Sequence, residues 1–292
     1  MSRPAVRRLL ARLPIERFRH PPPVVAVLPL SGIIGRFGSF GRSLNLRGLA
    51  GSIERAFSLP DLAAVALSVN SPGGSPVQSS LIAGRIRALA AEKKVPVFAF
   101  AEDVAASGGY WLLCAGDELY ADESSIVGSI GVVSAGFGFP ELLKRLGVER
   151  RVYATSEHKA GLDPFRPESS DEVEHLRAVQ NDIFEAFCRQ VRARRGEKLK
   201  AAEADLFNGR FWSGRGALEL GLIDGIGDLR TVMRERFGEK VRLRLVGERQ
   251  TWWRRRLGLT LRRRPVETEA AAILDGLIAV ADERAAWSRY GL

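Results

Sequence analysis

Residues 24–246 of the 292-residue chain predict an α/β domain with a mostly parallel sheet. Segments with strand-like and helix-like patterns alternate along this stretch, as they do in parallel α/β domains. The runs 24–30 and 63–69 are almost continuously apolar, which is typical of strands covered on both faces. Apolar side chains at helical spacing in 77–93 and 170–195 indicate two long helices.

The shorter elements are predicted from local apolar runs and turn signals. The glycine-rich segment 32–48 is predicted to be a loop. Strands are expected over 95–101, 118–121, 126–133, 149–154 and 241–246, and helices over 110–115 and 139–146, with a helical hairpin that ends at residue 237.

The charge of the chain is concentrated at its two ends. Lys plus Arg number 44 against 34 Asp plus Glu, a net charge of +10. Residues 1–23 form a basic N-terminal arm, and 247–292 form a basic, Trp/Arg-rich tail that ends in a helix predicted over about 267–287. Such a charge run is usually a solvated face, although 1–20 or 247–264 also suits peripheral contact with an anionic membrane. Nucleic acid binding is not expected, because no recognition motif accompanies the charge.

The cysteine count and the length of the apolar runs indicate where in the cell the protein is located. The two cysteines, Cys114 and Cys188, are too few for a disulfide framework or a cysteine metal site, and they fit a reducing compartment. The apolar run 24–35 is too short to span a bilayer, and the N-terminus lacks a signal-peptide core. We therefore expect a bacterial-type cytoplasmic location, with the protein soluble or peripherally bound to a membrane.

Ser107 is the first candidate for chemistry. It lies between a predicted strand and the helical run 110–115 and is followed by Gly108 and Gly109. A hydroxyl at this junction, with glycines that let the backbone approach a ligand, suits a nucleophile beside an oxyanion pocket. The alternative is that Ser107 serves only as a helix N-cap.

A serine nucleophile needs a base, and several residues compete for that role. His20 lies in the basic arm and His175 on a predicted exposed helix face, which leaves His158 and its neighbour Lys159. If their segment is extended, the two side chains point to opposite sides and only one can face Ser107. Histidine is nearly neutral at pH 7, whereas lysine can accept a proton only if burial removes its charge.

Four motifs, in order and at the right spacing, resemble the SppA/SohB family of signal peptide peptidases. They are Asn70-Ser-Pro-Gly-Gly74, Ala105-Ala-Ser-Gly-Gly-Tyr110, Gly128-Ser-Ile-Gly-Val132 and His158-Lys-Ala-Gly-Leu-Asp-Pro-Phe165. The resemblance covers roughly residues 24–235. It implies a fold like that of ClpP and crotonase, with repeated ββα units, and a serine–lysine dyad.

The resemblance assigns a role to each matching position. Ser107 would be the nucleophile, Lys159 the general base, and Ser129 the residue that orients the lysine. The oxyanion hole would be formed by backbone N–H groups of Gly73, Gly74 and Gly108. No metal or organic cofactor is implied. The implied activity is that of a serine endopeptidase that cleaves extended apolar peptides, such as signal-peptide remnants.

The resemblance also implies an oligomer. In short single-copy relatives the dyad is assembled between neighbouring subunits of a ring, so we expect a homo-oligomer. Typical members carry an N-terminal membrane anchor, where this sequence has only the basic arm. Two other functions share the fold: a crotonase-like acyl-CoA enzyme without an acyl-enzyme serine, and a non-catalytic oligomeric scaffold.

Overall fold

A twisted, mostly parallel sheet forms the centre of the computed structural model, which describes residues 21–35, 43–247 and 284–291. Its strands are β1 (Val24–Ser31), β2 (Leu62–Ser71), β3 (Val97–Ala106), β4 (Glu118–Ala121), β5 (Ile126–Gly128), β6 (Phe211–Ser213), β7 (Gly225–Ile226) and β8 (Arg242–Leu245). The main path runs β6-β5-β3-β2-β1-β8, and β4 pairs with both β3 and β7. Among these pairs, β5 with β6 is antiparallel and the others are parallel.

Helices cover both faces of the sheet. They are α1 (Leu46–Ala56), α2 (Pro76–Lys93), α3 (Gly108–Leu113), α4 (Pro140–Arg145), α5 (Ser170–Arg195), α6 (Glu203–Leu206), α7 (Gly214–Glu219) and α8 (Leu229–Phe237), with 3₁₀ turns at Glu157–Ala160 and Gly196–Lys198. The larger core lies between one face and helices α1, α2, α3 and the end of α5. On the other face, Val232 and Met233 of α8 pack on Phe98 and Phe100. Burial on both faces explains why β2 and β3 are so apolar.

Local signals fix the ends of α2. Its N-cap is Ser75, whose Oγ accepts from the N–H of Gln78 at 3.4 Å, and Pro76 occupies the first turn. Lys94 ends the helix in the left-handed conformation with φ of 55°. This helix follows the Gly73-Gly74 turn directly, so its capping also fixes where that turn lies.

The strand β3 has two different neighbours on one side. Its first half pairs with β4, from Phe98 opposite Glu118 onward. Its last residues pair with β5, ending with Ala106 opposite Gly128. Because β3 and β5 are parallel and end together, the residues that follow them emerge side by side at one edge of the sheet.

The structure confirms the predicted α/β class with its mostly parallel sheet, and α5 has its predicted bounds. Four local predictions are wrong. The segment predicted as a helical hairpin ending at residue 237 instead forms the short helices α6, α7 and α8 with strands β6 and β7 between them. Residues 149–154 are exposed and form no strand, since they lie in an extension (residues 132–169) away from the sheet edge. The strand predicted over 126–133 ends at Gly128, and the segment predicted as a loop to residue 48 already contains the start of α1.

Some predictions concern residues outside the described part of the chain. These are the basic arm over 1–20, residues 36–42 of the predicted glycine-rich loop, and the segment 248–283, which holds the tryptophan–arginine run and most of the predicted C-terminal helix. The last residues of that helix are described and helical, over 284–288. Within the described residues, no helix combines the length and apolarity that crossing a membrane requires.

We expect both cysteines to resist alkylation in the folded protein. Cys114 and Cys188 are free thiols and are 0% and 1% exposed. Burial raises the pKa of Cys114 to about 12 and that of Cys188 to about 11, so almost no thiolate is present at pH 8. Iodoacetamide labelling followed by mass spectrometry should show modification only after denaturation. Rapid native labelling would contradict the buried placement.

Candidate active site

Ser107 is the single residue between the end of β3 and the start of α3, and the chain turns at this residue. Its backbone has φ of 53° and ψ of −121°, a conformation that non-glycine residues rarely adopt and that is frequent at functional sites. Its N–H donates to the carbonyl of Gly128 at 2.8 Å, which holds the turn against the end of β5. Although Ser107 occupies the N-cap position, its side chain makes no capping hydrogen bond. The hydroxyl is therefore available for another role.

Glycines let two backbone segments meet beside this serine. Gly73 has φ of +108°, and a Cβ there would lie 2.8 Å from the Cβ of Ser107 and 2.9 Å from the amide nitrogen of Gly108. A Cβ on Gly108 would lie 2.5 Å from the Oγ of Ser79 and 3.4 Å from the amide nitrogen of Gly74. Side chains at these positions would push the two segments apart.

The backbone N–H groups of these three glycines differ in whether they already donate a hydrogen bond. The N–H of Gly73 donates to the Oγ of Ser71 at 3.2 Å. Those of Gly74 and Gly108 have no acceptor among the residues that the structure describes. Two neighbouring unpaired N–H groups beside a free hydroxyl can hold a negatively charged oxygen. Of the three glycines predicted for an oxyanion hole, Gly74 and Gly108 thus have N–H groups that can still donate, whereas the N–H of Gly73 is already bonded to Ser71.

Ser129 lies next to Ser107 at the same edge of the sheet. It follows the last residue of β5, has φ of 53°, and is 6% exposed. Its N–H donates to the carbonyl of Arg210 at 2.7 Å, and its Oγ accepts a long hydrogen bond of 3.4 Å from the hydroxyl of Tyr290. Sequence reasoning missed Tyr290, which lies in the C-terminal tail far from any of the motifs.

Both serines line one cavity of about 540 Å³, which we call the serine cavity. The rest of its wall is mostly apolar. It includes residues from the start of the extension, from α5 and from the C-terminal segment, namely Val132, Val133, Leu176, Val179, Ile183, Ala286 and Arg289. Arg289 is the charged residue among the described residues that line it. The cavity therefore combines a hydroxyl, N–H donors and an apolar wall.

Lys159 does not line the serine cavity within one chain. It lies in the 3₁₀ turn Glu157–Ala160 on the extension and is exposed, without a hydrogen bond or ion pair from its amine to any described residue. His158 is also exposed, and its Nδ1 lies 4.0 Å from a carboxylate oxygen of Asp171. The assumption that these residues lie in an extended segment is wrong. The single chain brings together Ser107, Ser129 and the glycines, but neither candidate base.

The segment that carries Lys159 is nevertheless ordered by its own contacts. The carboxylate of Asp163 accepts from the N–H of Phe165 at 3.1 Å and from Nε of Arg150 at 3.2 Å. The hydrogen bond from Phe165, followed by that from Arg150, lowers the pKa of Asp163 below its ordinary value. The rings of Phe139 and Phe165 contact each other, with centroids 5.7 Å apart. The extension therefore presents Lys159 on a folded support.

Together, this fold and site define an α/β protein with a mostly parallel sheet and a turn serine beside two backbone N–H groups. Residues 89–241 match the model of peptidase family S49. The chain belongs to that family. Relatives named as a signal peptide peptidase SppA and as a SohB protease confirm the resemblance seen in the sequence.

The relatives themselves are longer proteins. Two, named Na(+)/H(+) antiporter NhaA and from Brucella abortus and Brucella melitensis, are each 51% identical over 288 residues, which is 97% of this chain and 39% of theirs. A protease of Methanocaldococcus jannaschii is 34% identical over 56% of this chain and 51% of its own length. The SppA of Enterococcus faecium is 33% identical over 56% of this chain and 47% of its own. The chain thus spans about half or less of each of these relatives.

Proposed function

We propose that this chain is a serine endopeptidase in which Ser107 attacks the carbonyl carbon of a peptide bond. The observation that carries the proposal is the hydroxyl of Ser107, which makes no capping hydrogen bond, beside the N–H groups of Gly74 and Gly108, which have no acceptor in the described part of the chain. A structural N-cap would use that hydroxyl, and a simple turn would not need two glycines packed against it. Membership of a peptidase family supports the same reaction.

Lys159 is the proposed base, and a neighbouring copy of the chain is proposed to supply it. The amine is exposed in the single chain and lies outside the serine cavity, so a second subunit is needed to enclose it. Enclosure removes water from the amine and favours its neutral form, which can accept a proton. Ser129, buried beside Ser107, would then hold the amine in place.

The surface of the extension supports assembly with a second copy. Several of its large apolar side chains are more than half exposed: Val133, Phe137, Leu146, Val148 and Tyr153. Many exposed apolar side chains on one segment favour a role for that segment in protein–protein contact. The extension also starts at the wall of the serine cavity, so an interface built from it would close over the site. We therefore propose a homo-oligomer, with a ring as the expected form.

The proposed reaction proceeds in two halves. Neutral Lys159 takes the proton of Ser107 as the Oγ bonds to the carbonyl carbon, and the resulting oxyanion accepts from the N–H groups of Gly74 and Gly108. The C–N bond then breaks as the lysine protonates the leaving amine, which leaves an ester on Ser107. Water, deprotonated by the same lysine, attacks this ester and releases the acid. Each N–H donor contributes roughly 3 kcal/mol to the stability of the transition state.

The proposed substrates are extended peptides with apolar side chains. Val132, Val133 and Ile183 in the cavity wall favour such side chains. The backbone of an extended peptide can also hydrogen-bond to the protein backbone beside this wall. Signal-peptide remnants and unfolded or membrane-associated segments fit this description. The antiporter name of the Brucella relatives does not favour ion transport here, because the 288 matched residues contain the stretch that matches the peptidase model.

A fluorophosphonate probe tests the proposed function. We expect the oligomeric wild type to be labelled once per chain at Ser107, and we expect Ser107→Ala to remain unlabelled. Labelling should require the assembled form, so dilution below the assembly threshold should abolish it. A chain that assembles but is never labelled at Ser107 would favour a non-catalytic scaffold or a crotonase-like acyl-CoA enzyme, and would overturn the proposal.

A further inference from the structure

The C-terminal segment, residues 284–291, packs on the ends of the two strands that carry the serines. Tyr290 is 8% exposed and lies in one apolar cluster with Val104 and Ala106 of β3. Its ring meets that of Phe211 edge-on, with centroids 5.2 Å apart. Trp287 packs against the same cluster. The segment is thus anchored beside the site although it is far from Ser107 in the sequence.

The hydroxyl of Tyr290 donates to the Oγ of Ser129 at 3.4 Å. A serine hydroxyl has one hydrogen to donate and two lone pairs that accept. When Tyr290 occupies one lone pair, the other lone pair of Ser129 remains to accept a hydrogen bond. Ser129 lines the same cavity as Ser107, so an N–H of a neutral amine placed there can donate to Ser129, which leaves the single lone pair of the amine for the proton of Ser107.

We propose that Tyr290 is a positioning residue of the active site, acting through Ser129. This inference rests on the proposed function, because it needs Ser129 to hold the base. By fixing the rotamer of Ser129, Tyr290 directs the second lone pair of Ser129 towards an N–H of the amine, and that hydrogen bond turns the single lone pair of the amine towards Ser107, as the first proton transfer requires. The C-terminal segment is then part of the catalytic machinery.

The geometry favours this role over an inhibitory one. A segment that inhibits by imitating a substrate would place a carbonyl on the donors of the oxyanion pocket. The N–H groups of Gly74 and Gly108 donate to no carbonyl of residues 284–291. With the segment packed, the serine cavity has a volume of about 540 Å³, and Ala286 and Arg289 form part of its wall. The segment therefore borders the site without filling it.

The test compares Tyr290→Phe, Ser129→Ala and the double variant in steady-state hydrolysis of a fluorogenic peptide by the full-length chain. Tyr290→Phe keeps the ring packing and removes one hydroxyl, so its melting temperature should match wild type. We expect kcat to fall about fivefold, the effect of one hydrogen bond, with KM within about twofold. Tyr120→Phe is the matched control, since its hydroxyl bonds to Glu118 away from the serines and its loss should leave kcat unchanged.

The double variant distinguishes positioning from packing. If Tyr290 acts through Ser129, its hydroxyl matters only while Ser129 is present, and the double variant should be no slower than Ser129→Ala. Losses that multiply would overturn the proposal. So would an unchanged kcat in Tyr290→Phe, or an increased one, which would mark an inhibitory contact.

If Ser107→Ala retains full hydrolysis, the proposed function fails and this inference fails with it. An active wild type with an unaffected Tyr290→Phe rejects this inference alone.

Discussion

Ser107→Ala is expected to lower kcat for peptide hydrolysis by at least about 10⁴-fold while leaving the fold intact. Loss of the nucleophile in serine proteases removes the covalent route and leaves only the modest help of binding and the oxyanion hole. Ser107 is not needed for capping, since its side chain makes no cap hydrogen bond, so the melting temperature should change little. Casein or fluorogenic-peptide cleavage measures the effect. Ser124→Ala, an exposed serine, is the matched control.

Lys159→Ala should cause a comparable loss, and mixing the two inactive variants should restore part of the activity. In an assembly that shares its dyad, a subunit with an intact Ser107 can lie next to one with an intact Lys159. Co-expression of Ser107→Ala with Lys159→Ala would form such mixed oligomers. Lys200→Ala, an exposed lysine outside the extension, should behave as wild type. A mixed oligomer with no activity would show that the dyad does not form between chains.

Arg195→Ala is expected to lower the free energy of unfolding by about 3–5 kcal/mol, as removal of one partner from a buried ion pair does. Arg195 is 1% exposed at the end of α5. Its guanidinium donates to both carboxylate oxygens of Asp224, at 2.7 and 3.2 Å, and to the carbonyl of Gly221 at 3.0 and 2.8 Å. The substitution removes this donor from the carbonyl of Gly221 and from the carboxylate of Asp224, which keeps Lys198 and the N–H of Leu119 as partners. Denaturant unfolding measures the loss, and Arg189→Ala, at an exposed arginine of α5, is the control.

The same pair predicts how stability depends on pH. Burial acts to raise the pKa of Asp224, yet the hydrogen bonds from Arg195 and Lys198 outweigh it, so this pKa lies below its ordinary value. The stabilisation is therefore present above the ordinary carboxyl pKa of about 4 and is lost as the pH falls through the lower, folded value. Asp224→Asn should remove this part of the acid dependence. If stability falls at acid pH in that variant as it does in wild type, other carboxylates cause the fall.

The sequence predicted those parts of the fold and site that depend on local pattern. Strands β2 and β3 and helix α5 were predicted because continuous apolar runs and helical spacing are strong signals. The free hydroxyl of Ser107 was one of two interpretations that the residues left open, and the geometry of the side chain favours it over a cap. The residues alone left both His158 and Lys159 as candidate bases, and only the family resemblance favoured Lys159.

Other features depend on contacts between distant segments, which a single sequence does not reveal. The division of β3 between two partners requires knowledge of which strands pair. The failed strand over 149–154 has the composition of a strand but no neighbour to bond with. Tyr290 reaches Ser129 across a separation of 161 residues, and nothing near Tyr290 in the sequence marks it as part of a site.

In the proposed mechanism the attacking hydroxyl lies at the sheet and the proton acceptor lies on the extension, and this separation has a consequence for regulation. The strand that ends just before Ser107, β3, is hydrogen-bonded to a neighbouring strand on each side, whereas the extension exposes much of its apolar surface. A newly made, solitary chain would then carry a complete oxyanion pocket and no means of using it. Cellular abundance would control hydrolysis, which would begin only when enough copies accumulate to meet one another.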